Sequence, residues 1–157
     1  MRRLAILSLL MGALVSDAGA AALVVVAHPA LPATDVRMEE LSRIFLGRLQ
    51  RLGGLPVNPV NKEAGSPERA LFDKRVHRMD DTAMKEHWLA ARIKGEGQPP
   101  RSFQSDAAVL RYVSTVAGAI GYVSFPLTAE GVKPLSINGV PATEQTVAGG
   151  SYPLRGP

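Results

Sequence analysis

Residues 22–27 read Ala-Leu-Val-Val-Val-Ala. A short β-branched run with no polar interruption is the composition of a strand buried on both faces. A loop follows, with Pro29, Pro32, Thr34 and Asp35, and then Met38, Leu41, Ile44 and Phe45 recur at helical spacing before a stop at Gly47. This is a strand-to-helix unit. Gly53 and Gly54 turn the chain into LPVNPVN (55–61), whose alternation predicts a second strand; Pro56 and Pro59, which cannot donate to a ladder, confine it to an edge or a bulge. Ser66 before Pro67 predicts a helix start, because a hydroxyl can cap free amides and proline suits the first helical position. Phe72, Val76 and Met79 give that helix its apolar face.

The same alternation runs on. Asp80, Asp81 and Thr82 break and recap the chain, Met84, Trp88, Leu89 and Ile93 form the next stripe, and Gly95, Gly97, Pro99 and Pro100 end it. Ser105 and Asp106 cap a helix carrying Val109, Leu110, Val113 and Val116. Residues 119–125 and 131–137 then read as strands, and the remainder from Asn138, rich in Gly, Pro and Thr, reads as an extended tail. Strands alternating with helical segments predict an α/β layered domain.

Size agrees with one such domain. The chain has 157 residues, 46% apolar and 20% charged, which suffices for a core and excludes a disordered tail. Residues 1–20 carry Arg2 and Arg3, an apolar run from Leu4 to Val15 and small residues ending at Ala18, Gly19 and Ala20. That is the layout of a secretory signal peptide cleaved after Ala20, leaving 21–157 as the domain, not membrane-spanning once cut. As a membrane span the segment is poor, since its twelve-residue apolar stretch, broken at Ser8, falls short of the roughly 20 required and Asp17 follows it. The periplasm, or secretion in general, is the expected location.

Charge narrows the partners. The balance of 18 basic and 14 acidic residues is +4, and without Arg2, Arg3 and Asp17 it is 16 against 13, or +3. The basic residues are scattered among acids with little aromatic interleaving, so a nucleic-acid reader is excluded. There is no cysteine, hence no disulfide framework and no thiolate chemistry. His28, His77 and His87 match no metal-ligand spacing, and no cofactor is implied.

One segment stands out chemically. Gly65, Ser66, Pro67, Glu68 and Arg69 open a helix directly after a predicted strand. Free amides, a cap hydroxyl, a glycine that admits a ligand to the backbone and the positive end of a helix together suit a small oxyanion, and Arg69 adds a forked cationic donor. The same residues have a purely structural reading, in which Ser66 caps the helix and Arg69 pairs with an acid such as Asp73 at i+4.

Five stretches, in order, resemble a known family: MEELSRIFLGRL (38–49), GSPERALF (65–72), the Gly95, Gly97, Pro99 loop after the Trp88 helix, AGAIGYVS (117–124) and INGVPATEQTVAGGSYPL (137–154). They are similar to the phosphate-type substrate-binding proteins of ABC transporters, with the periplasmic-binding-protein fold. The resemblance implies a single lobe of the type II form of that fold, a central mixed sheet flanked by helices, and no enzymatic activity. It implies a phosphate-like oxyanion as ligand, held by Gly65, Ser66 and Arg69, and an ABC permease or a second lobe or subunit as partner. The chain departs from the family in two respects. Full-length members have two lobes and about twice this length, and an SGT-type triplet is here Gly65, Ser66, Pro67, one amide and one hydroxyl fewer.

Two or three charge-assisted bonds on an open lobe contribute about 4 kcal/mol net, a dissociation constant near 1 mM. The expected function is an exported, weakly binding oxyanion lobe serving ABC-type phosphate transport or sensing. The alternative is an envelope interaction module that keeps the fold without the ligand. A hydrolase using Ser66 as nucleophile is a third reading, and it has no partner histidine marked by any motif.

Overall fold

The computed structural model describes residues 21–157; the expected leader, 1–20, lies outside the described residues. Its centre is a six-stranded mixed sheet. In chain order the strands are β1 (Leu23–Ala27), β2 (Asp35–Val36), the β3–β4 hairpin (Arg51–Leu52, Leu55–Pro56), β5 (Asn58–Lys62), β6 (Arg101–Phe103), β7 (Ala119–Ser124) and β8 (Lys133–Ile137). Spatial order in the large sheet is β2-β8-β1-β7-β5-β6, with the hairpin apart. β1 is antiparallel to β7 and β8, whereas β5 is parallel to β7 and β6.

The valine run does what its composition requires. All five residues of β1 are buried, and they alternate between two cores. Leu23, Val25 and Ala27 face α1 (Met38–Phe45) and α2 (Pro67–Phe72), joining Phe45, Phe72 and Tyr122. Val24 and Val26 face α4 (Asp106–Thr115), joining Val60, Val109 and Val113. On the first side Phe72 stacks on Tyr122 at 3.9 Å between ring centres, with Phe45 4.7 Å from Phe72. On the second, α4 lies so close that a methyl on Gly121 would fall 2.9 Å from Val60 and 3.0 Å from Val109. The result is helix, sheet, helix.

Caps end the helices where the side chains dictate. Ser66, Asp80 and Ser105 each accept an amide three residues on, from Arg69, Ala83 and Ala108. α2 runs into a π-helical turn (Asp73–His77) that ends at Arg78, a non-glycine residue with φ 57°. α3 (Asp81–Lys94) stops at Gly95.

Three expectations are corrected. The segment 55–61 is not one edge strand: it divides into β4 and β5, and β5 lies inside the sheet. Pro59 is tolerated there because β5 meets its neighbours at staggered positions, Asn58 and Pro59 opposite β7 and Val60–Lys62 opposite β6, so the proline never sits between two ladders. The α3 stripe is only partly inward: Met84 is buried, but Leu89 and Ile93 are 58% and 78% exposed. The segment after Asn138 is not an extended tail. It forms α5 (Glu144–Ala148), sends Tyr152 and Leu154 into the core and closes a bridge between Ala22 and Arg155.

Candidate functional site

The turn that opens α2 is set by a local rule. Ser66 N donates to Glu63 O (3.2 Å), closing a four-residue turn whose third residue, Gly65, has φ 88°, a conformation that glycine takes without strain. Gly65 is exposed, with nothing near its missing side chain, and Ser66 is half-buried. Ser66 Oγ accepts from Arg69 N at 3.2 Å, so its own hydroxyl proton is left to donate outward. Pro67 has no N–H, and Glu68 brings a carboxylate into the first turn.

Arg69 is placed differently from an exposed anion clamp. Its side chain is 10% exposed; Nε donates to Asp73 Oδ2 (2.6 Å) and Nη1 to Lys62 O (3.1 Å). Nη2 has no partner among the described residues. Of the two readings that spacing left open for Arg69, the pairing with Asp73 is present, and it ties α2 to the end of β5. Gly65 and Ser66 are thus together at the surface, and Arg69 supports them from beneath.

Beneath the turn runs a polar network that sequence reasoning missed. Lys62, 3% exposed, pairs through Nζ with Asp106 Oδ1 (2.7 Å), and Asp106 Oδ2 accepts from Ser124 N (3.0 Å). Tyr122 OH donates to Asn61 Oδ1 (2.7 Å) and accepts from Lys62 N (3.2 Å). The signal available was a lysine ending a strand, which must find an acid if it is to be buried. Burial alone would raise the Asp106 pKa, but the hydrogen bonds from Lys62 and Ser124 outweigh it and hold the carboxyl below its usual range. Asp73 is the reverse: burial raises its pKa against the pull of Arg69. Next in line, His77 Nδ1 lies 2.9 Å from Ser42 Oγ on α1, and burial, then the charge of Arg69, depress its pKa to about 4.

Two open grooves flank the turn. One, of about 360 Å³, has Pro67, Glu68, Leu71 and Phe125 in its wall; the other, of about 290 Å³, has Ala64, Arg69, Trp88 and Arg92. The turn is therefore a ridge with no opposing wall among the described residues, and a ligand there would stay half in water. No cluster of three metal-ligating side chains occurs among the described residues, and none of their helices is long and apolar enough to cross a membrane.

No protein-family model matches the chain. It is 29% identical over 130 residues to the phosphate-binding protein PstS of Bacillus subtilis, a match spanning 81% of this chain and 39% of that protein. It is 45% identical over 101 residues to the phosphate-binding protein PstS 2 of Streptococcus pneumoniae, spanning 64% of this chain and 33% of that one. Over roughly two thirds to four fifths of its length the chain is thus similar to proteins named for binding phosphate. It spans only a third to two fifths of the length of these relatives.

The fold agrees. An ABC-type phosphate transport receptor from Vibrio cholerae superposes with a TM-score of 0.70 at 20% identity, over 86% of this chain and 54% of the receptor. PstS from Borrelia burgdorferi gives 0.71 at 19% identity, over 87% and 55%. At such identities the likeness concerns the fold, and it extends over about half of each solved chain.

Proposed function

We propose that the chain is a phosphate-like oxyanion-binding lobe, exported to the periplasm, that serves ABC-type phosphate transport or sensing as a binding protein and not as an enzyme. The observation that carries this reading is the surface turn of Gly65 and Ser66, with a free hydroxyl donor, in a chain related to proteins named for binding phosphate. Gly65 and Ser66 are the contacting residues. Arg69 contributes its charge from beneath, with Nη2 as its uncommitted donor.

Affinity is low in this reading. The ridge lacks an opposing wall, Pro67 removes an amide, and Glu68 places a negative charge beside the anion. The contacts then sum to about 4 kcal/mol or less, a dissociation constant of about 1 mM or weaker. The experiment is a phosphate titration followed by amide NMR. The amides of Gly65, Ser66, Glu68 and Arg69 are expected to move first, and less so in Ser66→Ala. No movement of these amides up to about 50 mM phosphate, well above that constant, overturns the reading.

A further inference from the structure

Two stretches of this chain contain cations and no acid. Residues 41–52 hold Arg43, Arg48 and Arg51, and residues 74–79 hold Lys74, Arg75 and Arg78. The fold puts them side by side, because α1 packs on the π-helical turn after α2 and Ser42 Oγ meets His77 Nδ1 at 2.9 Å. All six cations are exposed, and none makes an ion pair among the described residues. Of the neighbouring acids, Asp73 is buried and committed to Arg69, Asp81 pairs with Lys85, and Asp80, which borders Lys74 and Arg78, caps α3 by accepting from Ala83 N. Arg48 lies near enough to His77 and His87 for its charge to help depress both their pKa values, behind the larger effect of burial.

We propose that this face, with Arg43, Arg48, Arg51, Lys74, Arg75 and Arg78, docks on an anionic lipid bilayer. Six unpaired like charges on adjoining segments repel one another and gain most from a broad negative surface, which neutralises several at once. The β3–β4 hairpin, which starts three residues after Arg48, carries an exposed apolar residue: Leu55 beside its glycine tip is 43% exposed, and Arg51 in the facing strand bonds Gly54 O. An exposed leucine bordered by arginines suits the headgroup boundary, where the side chain can enter and the cations stay at the phosphates. A small anion would use one or two of these cations and leave the others unscreened.

The test uses the full chain with vesicles of pure phosphatidylcholine and vesicles containing about 30% phosphatidylglycerol, at low salt and at about 0.5 M salt, where the Debye length is only a few Å. The readout is the ratio of the two binding constants, in which the apolar run Leu4–Val15 cancels. A ratio above about 10 at low salt, collapsing at high salt, is expected, because each cation near the surface contributes about a fivefold gain. The triple variant R48Q/K74Q/R75Q should lower the ratio about a hundredfold, or to one. The control R92Q/K94Q/R111Q removes the same charge from other exposed sites and should change it no more than about threefold, the loss expected from long-range charge alone.

A ratio near one for the unaltered chain, or equal losses in both triples, overturns the proposal. So does tighter binding to poly-L-glutamate than to the anionic vesicles, which would assign the face to an acidic protein. The glutamine variants keep their stems at exposed positions, and an unchanged urea midpoint shows that the fold is kept.

Discussion

Arg69 Nε lies 2.6 Å from Asp73 Oδ2, one helical turn on, with both side chains at most 10% exposed. The pair sits directly beneath the turn where an anion would bind, so charge needed at the surface is held by a partner inside. Removing one member strands the other. Arg69→Gln is expected to destabilise the fold by about 3 kcal/mol or more, the usual effect of breaking a buried pair. Asp73→Asn should cost at least as much, since a stranded Asp73 can take up a proton, as burial favours, whereas Arg69 keeps its charge; it also frees Arg69 to face the turn. Urea denaturation of the two variants checks the order, and phosphate should perturb the Asp73→Asn amides at lower concentration than in the parent.

Capping by Ser66 and the anion binding proposed for it can be separated by substitution. Ser66→Ala removes the acceptor for Arg69 N and should lower stability by about 1 kcal/mol. Ser66→Asp restores the cap and returns stability to within about 0.5 kcal/mol, because aspartate is as good a helix cap as serine. It also places a carboxylate where phosphate would sit, and phosphate-induced amide shifts should vanish. Retention of those shifts in Ser66→Asp would show that phosphate binds elsewhere.

The low affinity proposed for the turn has a local cause that can be reversed. Pro67 has no amide and Glu68 no hydroxyl to offer an anion at this turn, and Glu68 adds a negative charge. Pro67→Gly with Glu68→Thr supplies both and removes a repulsive charge. Two added hydrogen bonds to a charged ligand, each worth about 1.5 kcal/mol in an open site, predict an affinity gain of about a hundredfold. Calorimetric titration with phosphate measures it directly. A gain below about threefold would mean that the turn does not face the anion.

Local chemistry explains which parts of this fold could be read in advance. Ser66, Asp80 and Ser105 were legible as caps because a cap needs only its own first turn. The valine run of β1 was legible because burial on two faces leaves no room for a polar residue. By contrast, whether Leu89 and Ile93 are covered depends on what α3 packs against, which periodicity does not encode. β6 is three residues long, too short for any period, and its polar Arg101 and Ser102 are exposed at an edge. The Lys62–Asp106 pair joins residues 44 apart in the chain, so neither residue announces the other. The turn at Gly65 and Ser66 was visible, but the inward orientation of Arg69 depends on Lys62 O and Asp73, which only the fold brings within reach.

The approach of α4 to the sheet predicts a sharp response at Gly121. A methyl there would meet Val60 Cγ2 at 2.9 Å, Val109 Cγ1 at 3.0 Å and Val113 Cγ2 at 3.5 Å, three β-branched side chains with little freedom to yield. Gly121→Ala should therefore destabilise by about 1–3 kcal/mol through overpacking, although alanine is otherwise the better residue in a strand. Pairing it with Val109→Ala makes room, and the double variant should be less destabilised than the sum of the two single changes. Additive losses in a thermal double-mutant cycle would show that the contact is not strained.

His77 makes the fold sensitive to mild acid. Its side chain is 2% exposed, bonded to Ser42 and facing Asp73, with the charges of Arg69, His87 and Arg48 disfavouring the imidazolium. Its pKa falls from 6.5 to about 4 on folding. The unfolded chain therefore takes up the proton first, so the stability this residue supports is complete above pH 6.5 and is lost as pH falls toward 4. The loss is about 2 kcal/mol by pH 5 and about 3 kcal/mol at the limit. Asp73, whose pKa is raised by burial, works in the opposite direction, stabilising the fold at low pH and losing that effect as pH rises through its folded pKa. Asp106, with its depressed pKa, loses its contribution only as pH drops through that lower value. The depressed pKa of Asp106 lies below the interval from pH 7.5 to 5, whereas His87, whose pKa burial also lowers, adds to the decline there and is common to the parent and a His77 variant. Urea midpoints across that interval should decline in the parent chain and decline much less in His77→Gln, which can keep a hydrogen bond to Ser42 but cannot take up a proton. Parallel declines in the two proteins would place the acid sensitivity elsewhere.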